Sequence, residues 1–155
     1  MVSQDPYRIA VVDDHPLIRQ GLRKILDGKD DLEIVGEAEN GLEFLLYLKQ
    51  LQPDLVILDI SMPKLKGIET LRQIKMKYPG MKVLILTMHQ EREYLIAAVQ
   101  AGADGYVLKE EPEGVLLSAI AAIRHGNGFI SPSLLQEFER SNKPLFQALK
   151  FIAND

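Results

Sequence analysis

Leu55-Val56-Ile57-Leu58-Asp59-Ile60-Ser61-Met62-Pro63 is the stretch whose reading decides the fold. Its apolar run is far too short to span a membrane and rich in β-branched side chains, so it reads as a strand buried on both faces of a parallel sheet. An ionised carboxylate is expensive to bury without a partner. Asp59, placed where the strand gives way to Ser-Met-Pro, therefore belongs at the strand's carboxyl end, facing a polar crevice. Taken alone, such an Asp reads equally well as the cap of a following helix. The other strand ends decide between the two.

Outward from this strand the same unit repeats. Ile9-Ala10-Val11-Val12 is a short apolar run that stops at Asp13-Asp14-His15-Pro16, and Pro16 suits the opening turn of a helix. That helix places Ile18, Leu22 and Ile25 at helical spacing, with Arg19, Arg23 and Lys24 facing out and Gly28 closing it. Leu32 to Gly36 is a second strand, followed by a helix from Asn40 through Leu48 that Pro53 ends. The helix after Asp59 carries Ile68, Leu71 and Ile74 and breaks at Tyr78-Pro79-Gly80. Val83-Leu84-Ile85-Leu86 is the fourth strand, closed by Thr87 and followed by a helix from Glu91 to Ala101. Tyr106-Val107-Leu108 is the fifth, ending at Lys109, and Leu116, Ile120 and Ile123 mark a fifth helix before Gly126.

Five strands alternating with five helices through short connections predict an open, doubly wound α/β domain with a parallel sheet. In such sheets the ligand crevice lies beyond the carboxyl ends of the strands. Residues 1–126 form this domain, and residues 127–155 an appended extension. Within the extension, Gly-Asn-Gly-Phe-Ile-Ser-Pro-Ser-Leu predicts a turn, an extended piece and a helix starting at Ser131-Pro132, with Leu134, Leu135 and Phe138 on one face. Leu145, Leu149 and Ile152 suit a further amphipathic turn.

A chain of 155 residues is long enough for one domain with a two-sided core and a short appendage. Hydrophobic residues make up 46% and charged residues 26%, too apolar for a disordered chain. There is no cysteine, which excludes disulfides, thiolate metal sites and a cysteine nucleophile. A net charge of -4 argues against a broad phosphate-binding surface. No apolar run approaches the ~20 residues of a membrane helix, and the expected location is the cytoplasm, with no membrane partner. No Gly-rich dinucleotide fingerprint or P-loop follows any strand, so a nucleotide is not the expected ligand.

The strand-end residues are Asp13, Asp14, Asp59, Thr87 and Lys109. Three carboxylates converging on one lysine call for a counter-ion, because like charges at close range disfavour joint ionisation. Oxygen-only ligands favour a hard ion, and Mg²⁺ fits, with Asp13, Asp14, Asp59 and the Ser61 backbone carbonyl as its ligands. An Asp beside Mg²⁺, with a lysine and a hydroxyl aimed at the same point, can attack a phosphoryl group and hold it as an aspartyl phosphate. Lys109 would neutralise the developing charge, while Thr87 and a backbone amide near Met88 would donate to the phosphoryl oxygens. Singly, each residue has a structural reading: Asp13 and Asp14 as caps, Thr87 as a turn former, Lys109 as a surface lysine, Tyr106 as a strand aromatic. Their co-occurrence at one sheet edge favours the functional one. His15 and His89 lack the spacing of a zinc site.

With these motifs in place, the sequence resembles the receiver domain of bacterial two-component response regulators over about residues 6–126. Asp13-Asp14 matches the family's acidic pair, Asp59 in Leu-Asp-Ile-Ser-Met-Pro its phosphoacceptor, Thr87 its switch hydroxyl, Tyr106 its switch aromatic and Lys109 its lysine. The resemblance implies a flavodoxin-like receiver fold with strand order 2-1-3-4-5. It also implies phosphotransfer to Asp59 from a sensor histidine kinase. Asp-Asp-His-Pro-Leu-Ile-Arg-Gln-Gly-Leu, Leu-Thr-Met-His and Gly-Ala-Asp-Gly-Tyr-Val-Leu-Lys-Glu are similar to the NarL/FixJ branch, whose members carry a LuxR-type helix-turn-helix. DNA binding would then come only through an output domain absent from this chain, whose first helix residues 148–153 faintly resemble. A stand-alone receiver acting by protein contacts is the alternative output.

Departures from the family pattern matter too. Glu110 follows Lys109 where proline is common, so no cis bond is expected there. Met88 stands where a smaller residue is usual and would narrow access to the phosphoryl site. Aspartyl-phosphate phosphatases of doubly wound fold carry a second Asp two residues after the nucleophile. Here that position is Ser61, so no enzyme turnover beyond self-phosphorylation and slow autodephosphorylation is expected, with Ser61, Met88 and His89 modulating the approach of water. On phosphorylation, Thr87 is expected to move towards the phosphoryl group and the Tyr106 ring to turn into the space it vacates. This would remodel residues 91–124, a face with Tyr94, Val99 and Leu116 that suits a second copy or an output domain.

Overall fold

Leu55 to Leu58 is the central strand, and each of its side chains is buried. The protein is described here from a computed structural model, which covers residues 5–61 and 66–141. Its elements are β1 (Tyr7–Val12), α1 (Pro16–Asp27), β2 (Leu32–Ala38), α2 (Gly41–Leu51), β3 (Leu55–Leu58), α3 (Lys66–Lys77), β4 (Lys82–Thr87), α4 (Arg92–Gln100), β5 (Gly105–Leu108), α5 (Glu113–Arg124), β6 (Phe129–Ile130) and α6 (Pro132–Ser141). The strands form one sheet in the order β2-β1-β3-β4-β5-β6, and every pairing is parallel.

The uninterrupted apolar runs follow from helices covering both faces. Alternate strand residues feed two cores. Ala10, Val12, Val56, Leu58, Val83, Ile85 and Tyr106 pack with Phe44 and Leu48 of α2, Ile68 and Leu71 of α3, Leu95 of α4 and Leu134 of α6. Ile9, Val11, Leu55, Ile57, Leu84, Leu86 and Val107 pack on the opposite face with Leu22 and Leu26 of α1 and Leu116, Ile120 and Ile123 of α5. Local signals set the ends of the helices. Asn40 caps α2 by accepting from the Glu43 amide at 2.8 Å, the Glu43 carboxylate reaches back to the Glu39 amide at 3.1 Å, and Gln52 before Pro53 adopts the left-handed conformation at φ 45°.

Three features differ from the sequence expectation. The sheet has a sixth strand, because Phe129 and Ile130 pair with Gly105 and Tyr106 along the edge of β5; the extension thus begins by joining the sheet, and α6 follows. Leu116 is buried against the sheet and not part of an exposed face. Arg19 turns back towards β1 and β2, where its guanidinium donates to the Asp13 carbonyl and lies 3.3 Å from Glu37. Met62, Pro63 and the stretch 142–155, including the expected turn at Leu145, Leu149 and Ile152, lie outside the described residues.

Candidate functional site

Sheet hydrogen bonding runs one residue beyond the strands and thereby fixes the site. The Asp13 amide donates to Ala38 (3.0 Å), the Asp59 amide to Val12 (3.0 Å) and the Lys109 amide to Thr87 (2.8 Å). Their side chains converge at the carboxyl edge. Lys109 Nζ lies 2.8 Å from Asp13 Oδ2 and 3.0 Å from Asp59 Oδ2. All three groups are sequestered, with side-chain exposures of 5% for Lys109, 3% for Asp13 and 0% for Asp59. Burial pushes the Lys109 pKa down, but the hydrogen bonds it donates to Asp13 and Asp59, with the charges of those two carboxylates, outweigh it and leave the ammonium more basic than an ordinary lysine. It is a permanent cation at neutral pH.

The remaining carboxylate valences are partly used. Asp13 Oδ1 accepts from the His15 amide at 2.9 Å, and Asp59 Oδ1 from the Ser61 amide at 2.8 Å. The His15 ring Nδ1 lies 3.0 Å from Asp13 Oδ1 and 3.1 Å from Asp14 Oδ1. Asp14 sits at the exposed rim. Each carboxylate oxygen has two lone pairs, so acceptor capacity remains after these bonds. Asp13, Asp14, His15 and Asp59 offer ligand atoms within 4.8 Å of one another. Three hard oxygen donors in that space fit a small divalent cation such as Mg²⁺.

Thr87 is fully buried; its Oγ1 lies 2.9 Å from Ser61 Oγ and accepts from the His89 amide at 3.2 Å. The hydroxyl pair therefore joins the end of β4 to the backbone just after Asp59. Tyr106 is also fully buried, and its hydroxyl donates to the His89 carbonyl at 2.9 Å. Burial, followed by the nearby Glu91, pushes the phenol's pKa well above its ordinary value. The ring that the sequence reading expects to turn inward already stands inward, beside a Thr87 already bonded to Ser61. Met88 points outward, with 59% exposure. The His89 ring stacks on Tyr94, with centroids 3.9 Å apart and planes 13° from parallel.

The structure adds three residues that the sequence reading had not placed here. His15, set aside for want of zinc spacing, lies among the carboxylates because it directly follows the acidic pair. Arg19 ties the Asp13 backbone to α1. Gly67, in the first turn of α3, packs so tightly that a Cβ would come within 2.4 Å of Ile60 Cα and 2.8 Å of the Asp59 carbonyl oxygen. Glycine is needed there for α3 to approach the end of β3. A lone Gly at the start of a predicted helix was the available signal.

Comparison with known proteins gives a consistent picture. Residues 9–121 match the response regulator receiver domain family. The chain is 33% identical over 143 residues to the transcriptional regulatory protein DegU of Brevibacillus brevis, covering 90% of this chain and 61% of that protein. It is 36% identical over 135 residues to the nitrate/nitrite response regulator NarL of Escherichia coli K12, covering 86% and 62%. The chain thus spans about three fifths of the length of these relatives. A LuxR-family two-component response regulator from Aurantimonas superposes with a TM-score of 0.83 at 35% identity, covering 88% of this chain and 97% of that one. The isolated receiver domain of RcsB from Salmonella enterica, in the presence of the phosphomimetic BeF3-, gives 0.79 at 30% identity, covering 85% and 98%.

Proposed function

The chain belongs to the response regulator receiver domain family, and from that premise we propose that it takes a phosphoryl group from a sensor histidine kinase onto Asp59. The observation that carries this reading is the sequestered Asp59 carboxylate, held by Lys109 Nζ at 3.0 Å on one oxygen and by the Ser61 amide at 2.8 Å on the other, in a cluster of surplus carboxylates.

In the step proposed, an Asp59 oxygen attacks the phosphorus of a phosphohistidine as the P–N bond breaks, and the electron pair leaves with the imidazole, which retains or gains a proton. Lys109, cationic throughout, exchanges a carboxylate contact for a phosphoryl oxygen. Thr87 and the amide of Met88 or His89 donate to the other oxygens. Asp13, Asp14, Asp59 and the Ser61 carbonyl would hold Mg²⁺, which when bound offsets charge on the transferring group. Ser61 stands where a second carboxylate would act as general acid and base, so dephosphorylation is slow. Ser61, Met88 and His89 border the route by which water would enter.

Output follows from residues 91–124, through a second copy or a following domain. Residues 1–126 serve as the body of the receiver, β6 and the start of α6 complete it along the edge of β5, and the extension of residues 127–155 leads on towards an output domain that binds DNA and controls transcription. Intact-mass measurement after incubation with acetyl phosphate tests the assignment. One phosphoryl group should appear only with Mg²⁺ and be absent from Asp59→Asn. Labelling that persists in that variant, or in excess chelator, would refute it.

A further inference from the structure

We propose that His89 is a positioning residue: its imidazole, stacked on Tyr94, holds the loop between β4 and α4 in the conformation that keeps Tyr106 inward and Thr87 directed at Ser61. This rests on the reading of Thr87 and Tyr106 as switch residues and names what sets their resting state. His89 occupies the middle of the three-residue loop between Thr87 and Glu91. Its backbone engages both switch residues, donating to Thr87 Oγ1 at 3.2 Å and accepting from the Tyr106 hydroxyl at 2.9 Å. Among the described residues, its side chain engages the start of α4, through the 3.9 Å stack on Tyr94 and a 3.4 Å approach of Nδ1 to Glu91 at the N-cap.

The beginning of α4 needs such an anchor. Glu91, at the N-cap position, makes no side-chain capping bond, and the Tyr94 and Leu95 amides reach its carbonyl at 3.2 and 3.4 Å. A loop ring packed on the third residue of the helix fixes the entry of the chain much as a hydrophobic staple does. Gln90, bonded to Glu110, supplies a second tie, but that pair is exposed. If the loop swings away, the buried Tyr106 hydroxyl loses its acceptor, and a buried phenol without a partner is disfavoured. The ring then leaves. The stack, rather than the ion pair, carries the effect, because Glu91 is 53% exposed and its charge is screened.

Fluorine NMR of protein labelled with 3-fluorotyrosine, with the Tyr106 signal assigned through Tyr106→Phe, reads the ring directly and needs no phosphoryl group. His89→Ala should move that signal to a solvent-exposed or exchanging position, His89→Phe should restore the buried one, and Glu91→Gln should leave it unchanged. With Mg²⁺ and beryllofluoride, binding should weaken about 5- to 10-fold in His89→Ala and stay within about 2-fold in His89→Phe. A buried Tyr106 signal in His89→Ala, or no rescue by Phe, overturns the proposal. Failure of beryllofluoride to bind the unmodified protein would instead count against the phosphoacceptor reading, while the ring signal still decides the role of His89.

Discussion

The two ends of the sheet each set a lysine against an aspartate, half-buried at the amino end and sequestered at the carboxyl end, and they do so to different ends. At the amino end, Asp104 Oδ2 accepts from Lys75 Nζ at 2.7 Å and from the Val83 amide at 2.9 Å, Lys75 also donates to the Met81 carbonyl at 2.7 Å, and Lys82 lies 3.9 Å from Oδ1. Two lysines thus serve one carboxylate, and backbone groups complete its bonding. At the carboxyl end, among the described residues, one lysine, Lys109, serves both Asp13 and Asp59, with Asp14 at the rim. An unpaired charge is costliest at the sequestered carboxyl end. The amino end is a finished clamp between α3, β4 and β5, whereas the carboxyl end holds surplus negative charge that a cation would neutralise.

Removing each lysine should separate the two roles. Lys109→Met leaves two buried carboxylates without the ammonium that bridges them and should cost about 3–5 kcal/mol in urea denaturation. Its labelling by acetyl phosphate should fall about 100-fold or more through loss of a donor to the transferring group. Lys75→Met should cost about 2–3 kcal/mol and leave labelling within about 2-fold, since Lys75 lies at the other end of the strands. Equal losses of labelling would erase the distinction.

A smaller effect appears at alkaline pH. The folded pKa values of Lys109 and Tyr106 are both raised, so each group binds its proton more tightly folded than unfolded. Their stabilisation is fully present below the ordinary values of about 10 for Tyr and 10.4 for Lys and is lost as pH rises through the folded values. Tyr7, whose pKa burial pushes up to about 12 with help from Asp54, adds the same dependence. Urea midpoints should be insensitive to these groups between about pH 7 and 9 and fall steeply above about pH 10, with a shallower fall in Tyr106→Phe.

What could be read from the sequence was whatever a short window encodes. Apolar runs ending in Asp13, Asp59, Thr87 and Lys109 gave the strands and the residues at their carboxyl ends, and the βα alternation put those ends together. Phe129 and Ile130 are too few to show a period, so the extended piece was legible but its pairing with β5 was not. Arg19 reads as solvent-facing from its helix alone; Glu37 on β2 and the Asp13 carbonyl draw it inward. Leu116 lies on the helix face that meets the sheet, at the same spacing as Ile120 and Ile123, so its spacing and not its place in residues 91–124 was the right guide. The stack of His89 on Tyr94 joins a loop to a helix, and the inward Tyr106 ring is a rotamer chosen by tertiary contacts. Neither leaves a periodic trace.

The contrast between the two ends is tested most directly by the urea midpoints of the unmodified protein, Asp59→Asn and Asp104→Asn, with and without Mg²⁺. Without the ion, Asp59→Asn should be neutral or stabilising, because Lys109 keeps Asp13 at 2.8 Å and one surplus charge is gone; Asp104→Asn should be destabilising. Mg²⁺ at a hundred times its dissociation constant should stabilise the unmodified protein and Asp104→Asn alike, by about 2.7 kcal/mol, and Asp59→Asn much less. Equal destabilisation by both substitutions, together with the same Mg²⁺ increment in all three proteins, would contradict a carboxyl end built around surplus charge.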